Sequence, residues 1–314
     1  MTTLPQHPPE GTGRLRPSAA VARAARVLGA AGVEPARVEA ELLAAHVLGV
    51  PRGRLALADG FDTGQLARLD ALVRRRADRE PLQHLTGTAG FRHLELAVGP
   101  GVFVPRPETE LLAGWGVERG RGHAPLVVDL CSGSGAIALA VAQELPDARV
   151  VAVERSPAAL RWLRRNAAER ATAGDRPIEV VEADVTDPDL LAELVGRVDV
   201  LLCNPPYVPD DVVVPPEVAG HDPAEAVFGG ADGLAVIRPV LRRSAELLRP
   251  GGVLGVEHDD THGAAVPGLL AADGRFTAVE EHRDLTGRPR YATASRRADG
   301  EHASGAAAWQ TDSS

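Results

Sequence analysis

The chain has no lysine and only two cysteines in 314 residues, and its aromatic content is 3%. Without lysine, every permanent side-chain cation is an arginine, a bias that accompanies abundant alanine and reads as coding composition more than function. Two cysteines are too few for a cysteine-rich zinc framework. The ten histidines form no H-x-x-x-H pair on a predicted helix, so no metal is expected. Cys131 and Cys203 each close an apolar run and read as buried, reduced thiols in a reducing compartment. Were their strands neighbours the thiols would lie close, but no disulfide is expected. No apolar stretch approaches the ~20 residues that cross a bilayer, and the N-terminus lacks the charged start and apolar centre of a signal peptide. A cytoplasmic location with no membrane partner is therefore expected. Excess positive charge is missing too: the net charge is -9 and the pI about 5.6. That balance argues against a protein whose main task is gripping nucleic-acid phosphates, for which a clustered basic surface is needed.

What is present suggests two parts. Residues 1–17 and 298–314 lack periodic apolar positions and read as disordered tails. Between Ser18 and about Leu85 apolar residues recur at spacings of three and four, as in Val38, Leu42, Leu43 and Val47, which predicts a small helical bundle over 18–86. Ser18 is its expected first cap, with Gly32 and Pro51 marking turns. Arg74-Arg75-Arg76 on its last helix reads as a solvated face, with partner contact as the alternative, and His84 as a structural hydrogen bonder. Phe91 to Phe103, containing Gly99-Pro100-Gly101, suggests a two-stranded hairpin in a linker over 87–105. From Leu126 onward strands alternate with helices, which requires a mostly parallel sheet covered on both faces. A single strand is expected over Val253 to Glu257, after Pro250-Gly251-Gly252, and a helix over Leu234 to Leu248. The last two strands should pair antiparallel. This second part spans 106–297.

Strand ends carry the chemistry. Leu126 to Leu130 runs directly into Cys131-Ser132-Gly133-Ser134-Gly135 and then a helical stretch, Ala136 to Glu144. Glycines let the backbone approach a ligand closely, and a helix start offers unpaired N–H groups. The G-x-G alone is weak, since a dinucleotide fingerprint wants a third glycine where Ala138 stands. A second strand ends in Glu154, ~20 residues on, where a carboxylate can accept from ribose hydroxyls; a plain surface turn is the alternative. A third ends at Asp184-Val185, an acid and an apolar residue placed to flank an adenine. The fourth, Val198 to Cys203, ends in Asn204-Pro205-Pro206-Tyr207. Two prolines donate no backbone hydrogen bonds and hold the chain extended, so the Asn204 side chain and the Pro205 carbonyl are free to accept from a planar NH2 group while Tyr207 covers one face. From the tetrapeptide alone a proline-rich turn reads equally well.

Together, Asp129 to Gly135, Glu154, Asp184 and Asn204 to Tyr207 resemble the motifs of class I S-adenosylmethionine-dependent methyltransferases that act on amino groups. Pro81-Leu82-Gln83-His84-Leu85-Thr86-Gly87, Val104 to Glu110, Pro216-Glu217-Val218, Gly229 to Leu234 and Asp284 to Arg290 narrow the likeness to the PrmC (HemK) family, the release factor glutamine methyltransferases. Ser132 stands where threonine is frequent and Glu154 where aspartate is. The resemblance covers about residues 18–296 and implies a Rossmann-like domain with a seven-stranded, mostly parallel sheet behind the helical bundle and hairpin. It implies S-adenosyl-L-methionine as cofactor, held by Cys131, Ser132, Gly133, Ser134, Gly135, Glu154, Asp184, Val185 and Asn204. It places catalysis on Asn204, Pro205, Pro206 and Tyr207. Arg106, Glu108 and Thr109 are placed to order the cofactor pocket from the linker side, with a purely structural role as the equal alternative. The implied substrate is the glutamine of a Gly-Gly-Gln loop in bacterial release factors, recognised by the helical bundle, with the enzyme a monomer that holds no nucleic acid stably. A ribosomal-protein glutamine methyltransferase, an adenine-N6 DNA methyltransferase and a non-enzymatic cofactor-binding module are the alternatives.

Overall fold

A computed structural model describes residues 14–298. Most of both expected tails lies outside the described residues. Residues 14–17, read as tail, are structured: Leu15 and Phe61 exchange backbone hydrogen bonds at 3.0 and 2.9 Å. The chain divides into two compact units between Gly87 and Thr88.

The first unit is helical: α1 (Pro17–Ala30), α2 (Ala36–Leu48), a 3-10 turn (Arg52–Leu57), α3 (Thr63–Ala77) and α4 (Leu82–Thr86). The expected Ser18 cap is not used. Pro17 occupies the first helical position, where its fixed φ and missing N–H cost nothing, and Arg16 precedes it without a side-chain cap. Asp62 and Gln65 form a reciprocal capping box at the start of α3, a D-x-x-Q signal that the apolar periodicity does not register. Leu28, Leu43, Phe61 and Leu69 fill the centre. The arginine run is not one solvated face: Arg76 is buried against Glu39, Arg75 pairs with Glu80 at 2.6 Å, and Arg74 is exposed. His84 is buried within this unit.

The second unit opens with a hairpin of β1 (Thr88–Phe91) and β2 (Leu94–Ala97). It is shorter and earlier than expected because Arg92, at φ 51°, makes the turn. Gly99-Pro100-Gly101 instead lies on a helix whose Trp162 donates from Nε1 to the Pro100 carbonyl at 3.3 Å. The elements then run α5 (Thr109–Gly120), β3 (Leu126–Leu130), α6 (Ala136–Glu144), β4 (Arg149–Glu154), α7 (Pro157–Thr172), β5 (Glu179–Glu182) and β6 (Val198–Cys203). They continue through α8 (Pro216–His221), α9 (Ala224–Val227), α10 (Ile237–Leu247), β7 (Leu248–Glu257), α11 (Ala265–Asp273), β8 (Phe276–Arg283) and β9 (Pro289–Arg296). The sheet has seven strands in the order β5-β4-β3-β6-β7-β9-β8. Its first five strands are parallel, and β9 runs antiparallel to β7 and β8.

Two boundaries shift. Helix α10 starts at Ile237 rather than Leu234, and β7 begins at Leu248, before Pro250-Gly251-Gly252. Leu248 pairs with Val198 and Val253 with Val200, so the intervening residues bulge out of the strand instead of preceding it. Alternate strand residues serve opposite faces. Val128, Leu130, Leu201 and Cys203 pack with Ile237, Val240 and Val266 of α10 and α11. Val127 and Leu202 pack with Leu112, Ile137 and Leu160 of α5, α6 and α7. Since β4 and β5 lie on one side of β3 and β6 on the other, the chain reverses direction between β3 and β6. Open α/β sheets bind ligands at the carboxyl ends of strands at such a point.

Candidate active site

Four strand ends meet the crevice. At the end of β3, Cys131 takes φ 59° and Gly133 takes φ 57°, curling the chain away from the sheet. The Ser132 N–H donates to the Val153 carbonyl of β4 at 3.0 Å, which anchors the turn. Nothing lies within 4 Å of the place where a Gly133 Cβ would stand, so backbone faces open space there. Behind it, Asp129 is fully buried, accepts from the Ala138 N–H through Oδ2 at 3.1 Å, and leaves Oδ1 without a partner. Burial pushes its pKa up to about 7, against the donors of Ser132 and Ala138. Asn166 on α7 ties the turn to the hairpin, donating to the Ser134 carbonyl at 2.9 Å and bonding both backbone groups of Ala97. Ser132 and Ser134 are themselves buried, so the turn presents backbone more than side chains.

Glu154 ends β4, 8% exposed. Its Oε2 accepts from Gly133 N–H and its Oε1 from Arg155 and Ser156 N–H, each at 2.8 Å. Of roughly four lone-pair positions on a carboxylate, three are taken by backbone. The residue is therefore both a brace for the turn and an acceptor with one position left. Asp184 follows one strand further out. It takes both the N–H and the hydroxyl of Thr186, at 2.8 and 2.7 Å, and Arg155 at 3.0 Å. Against burial, these donors hold its carboxyl below the usual range. Val185 is buried in the core beneath it. The turn, Glu154 and Asn204 are thus at the ends of β3, β4 and β6, whereas Asp184 and Val185 sit beyond β5.

The N-P-P-Y segment is held by side chains from remote parts of the sequence. Asn204 donates from Nδ2 to the Thr109 hydroxyl at 3.1 Å, which leaves its carbonyl oxygen uncommitted. Pro205 and Pro206 are buried. Tyr207 donates its hydroxyl to Oε1 of Glu257 at 2.9 Å, so its ring is fixed by an acid at the end of β7. Behind the segment runs Phe228-Gly229-Gly230: Gly229 N–H donates to the Val208 carbonyl at 2.8 Å and Val208 N–H to the Val227 carbonyl at 3.0 Å. A Cβ at Gly229 would stand 2.7 Å from the Pro206 carbonyl oxygen, and one at Gly233 would collide with the Tyr207 carbonyl. Those two glycines are what let the chain press against the back of the tetrapeptide.

Thr109, read as ordering the cofactor pocket or as purely structural, hydrogen-bonds Asn204 at this corner. Arg106 pairs with Asp222 at 2.6 Å and stacks over Phe103. Asp284 accepts from Thr286, Arg288 and Arg290 and so directs Arg290 toward Glu257 and Tyr207. Glu257 is the residue that the sequence reading passes over, although its signal matches that of Glu154, a carboxylate closing a buried parallel strand. Cys203 sits opposite Leu130 in register, one residue from Cys131. Both thiols are free, and burial followed by hydrogen bonding with Cys131 raises Cys203 well above the ordinary thiol range.

Among the described residues no helix is long and apolar enough to cross a membrane, and no cluster of potential metal ligands occurs. Residues 19–87 match the PrmC N-terminal domain family and residues 109–218 the methyltransferase small domain family. The chain is 54% identical over 277 residues to a release factor glutamine methyltransferase of Mycolicibacterium smegmatis, covering 88% of this chain and 96% of the relative. A release factor glutamine methyltransferase of Mycobacterium tuberculosis is 47% identical over 281 residues, covering 88% and 90%. A 4-amino-L-phenylalanine/4-methylamino-L-phenylalanine methyltransferase of Streptomyces pristinaespiralis is 41% identical over 283 residues, covering 88% and 89%. At this identity and coverage, the chain belongs to the release factor glutamine methyltransferase family.

Proposed function

We propose that this protein methylates the side-chain amide nitrogen of the glutamine in the Gly-Gly-Gln loop of bacterial release factors, with S-adenosyl-L-methionine as methyl donor. The observation that carries the reading is Asn204. Its NH2 is tied to Thr109, so its carbonyl oxygen is the end left to accept from a ligand, beside an open glycine turn. The open space over Gly133 and the start of α6, where Gly135 supplies no side-chain cap and Asp129 takes only the Ala138 N–H, suit a ligand carrying a nucleoside and a carboxylate. The cofactor supplies an intrinsically electrophilic methyl group. Cys131, Ser132, Gly133, Ser134 and Gly135 would line it with backbone, Glu154 would accept from the ribose, Asp184 and Val185 would flank the adenine, and Asn204 would border the reacting end.

An amide nitrogen is a poor nucleophile because its lone pair is delocalised into the carbonyl, and no side chain removes its proton beforehand at neutral pH. Orientation is what the protein contributes, and it is worth up to ~7 to 11 kcal/mol. The Asn204 carbonyl oxygen and the Pro205 carbonyl each accept one amide hydrogen, which aims the lone pair and stabilises positive charge developing on nitrogen. Pro206 keeps the strand extended, and Tyr207 covers one face of the amide. The proton leaves after transfer, to water. A lone glutamine offers little surface for specificity, so the helical unit is assigned to recognising the release factor. The enzyme acts as a monomer in the cytoplasm, with no stable nucleic-acid or membrane partner.

Labelled cofactor incubated separately with release factor, ribosomal proteins, DNA and 4-aminophenylalanine, followed by mass spectrometry, tests this directly. Label on the Gly-Gly-Gln glutamine is expected. Label confined to any other substrate overturns the reading.

A further inference from the structure

Glu257 is 1% exposed, and its Oε2 has no hydrogen-bond partner. A buried carboxylate left half-satisfied costs stability, so its retention at the end of β7, in the crevice of the site, calls for a use. Its other oxygen takes the Tyr207 hydroxyl at 2.9 Å. Thr109 stands beside it and favours the ionised acid. The same Thr109 oxygen accepts from Asn204 Nδ2 at 3.1 Å. A hydroxyl has a single hydrogen. If Thr109 points that hydrogen at Glu257, its lone pairs must face Asn204, and only the NH2 end of the Asn204 amide can turn toward them.

We propose that Glu257 is a positioning residue for methyl transfer: by holding the Tyr207 hydroxyl on Oε1 and drawing the Thr109 hydroxyl hydrogen toward its unpartnered Oε2, it fixes the Asn204 amide with its carbonyl oxygen toward the substrate and locks the Tyr207 ring. This rests on the reading of the corner as a glutamine amide site. Protonation would undo the arrangement. A neutral Glu257 can itself donate to Thr109, which frees that hydroxyl to rotate and removes the preference between the two ends of the Asn204 amide. The groups facing Glu257 set where this happens: Arg290 from β9, itself paired with Asp284, Glu108 ahead of α5, Cys203 on β6, and Thr109 and Tyr207. Burial dominates and pushes its pKa up to about 7, against the hydroxyls and Arg290. The ionised, ordering form is therefore gained as pH rises through that value.

The experiment compares wild type with Glu257→Gln, Thr109→Val and Tyr207→Phe, measuring kcat on full release factor across pH together with S-adenosylmethionine Kd by calorimetry. Wild-type kcat is expected to rise through about pH 7. Glu257→Gln is expected to lose that rise and to fall about 10- to 100-fold at high pH, the scale of a misplaced catalytic group, with Kd unchanged. Thr109→Val should reproduce much of the loss while Glu257 remains in place. A Glu257→Gln enzyme with wild-type kcat and pH profile overturns the proposal. So do wild-type rates in both Thr109→Val and Tyr207→Phe, which covers the case of a Glu257 variant that does not fold. A wild-type enzyme inactive on release factor overturns the glutamine reading itself, a result distinct from either.

Discussion

The two halves of the crevice are built differently. The turn after β3 is held by backbone groups close in space and mostly local: Glu154 takes three N–H bonds, Asp129 one, and Ser132 N–H reaches the neighbouring strand. The corner after β6 is held by side chains drawn from afar, Asn204 to Thr109 and Tyr207 to Glu257. The difference suits the tasks proposed for the two halves. A nucleoside is bound by shape and backbone donors that any chain can supply, whereas aiming a lone pair requires one amide to present one particular end.

If the halves are separable in this way, variants in each should move different quantities. The largest effect is expected at Asn204. Asn204→Ala removes the side-chain acceptor, and because that contact strengthens as charge develops, turnover should fall ~100- to 1,000-fold. Cofactor affinity, read by calorimetry, should fall far less than turnover, and a parallel loss of affinity would merge the halves. Glu154→Ala should do the reverse. A charge-assisted hydrogen bond contributes ~1.5 to 3 kcal/mol, so Kd for S-adenosylmethionine should rise ~10- to 100-fold, with an unchanged Kd removing Glu154 from the site. Since Glu154 also braces the turn, the melting temperature should drop as well.

Gly233→Ala sharpens the comparison from behind the corner. Its Cβ collides with the Tyr207 carbonyl at a residue with φ 68°, so the back of the tetrapeptide must shift. A rate loss of ~10-fold with Kd retained is expected, alongside ~1 to 3 kcal/mol of destabilisation from overpacking. Wild-type kinetics in a destabilised variant would show that the tetrapeptide's placement tolerates movement.

The smallest effect concerns pH and stability. Asp129 and Glu257 both have folded pKa values raised to about 7 by burial, above their unfolded values of 3.8 and 4.5. The native state then holds more protons than the unfolded one between about pH 4 and 7, so stability falls as pH rises through that window. Glu257→Gln removes one of the two groups. Its melting temperature relative to wild type should move upward by a few degrees between pH 5 and pH 8. A pH-independent difference would mean that Glu257 titrates normally.

Much of this was legible in the sequence because it is local. Short apolar runs closed by the glycine turn, by Glu154 and by Asn204 locate β3, β4 and β6, and Asn204-Pro205-Pro206-Tyr207 announces a site from its own residue types. The capping box of Asp62 and Gln65 was legible too, in spacing rather than in periodicity. What escaped is long-range. Nothing near Thr109 says that its hydroxyl meets Asn204, and the bulge in β7 depends on how Val198 and Val200 pair with Leu248 and Val253. Glu257 sat in plain view as a strand-closing acid, but only the β6–β7 pairing reveals that Tyr207 is its partner. Gly229 and Gly233 were visible as part of a pattern, and their reason, contact with the Pro206 and Tyr207 carbonyls, is visible only once the chain has folded back.

On the proposed function, the corner after β6 reads the NH2 group of a glutamine. The most direct measurement is the stoichiometry of methyl label entering release factor when the Gly-Gly-Gln glutamine is replaced by glutamate, which keeps the shape and removes the nitrogen. No label above background is predicted, against one methyl per wild-type release factor. Label entering the glutamate variant to the same extent would contradict the account.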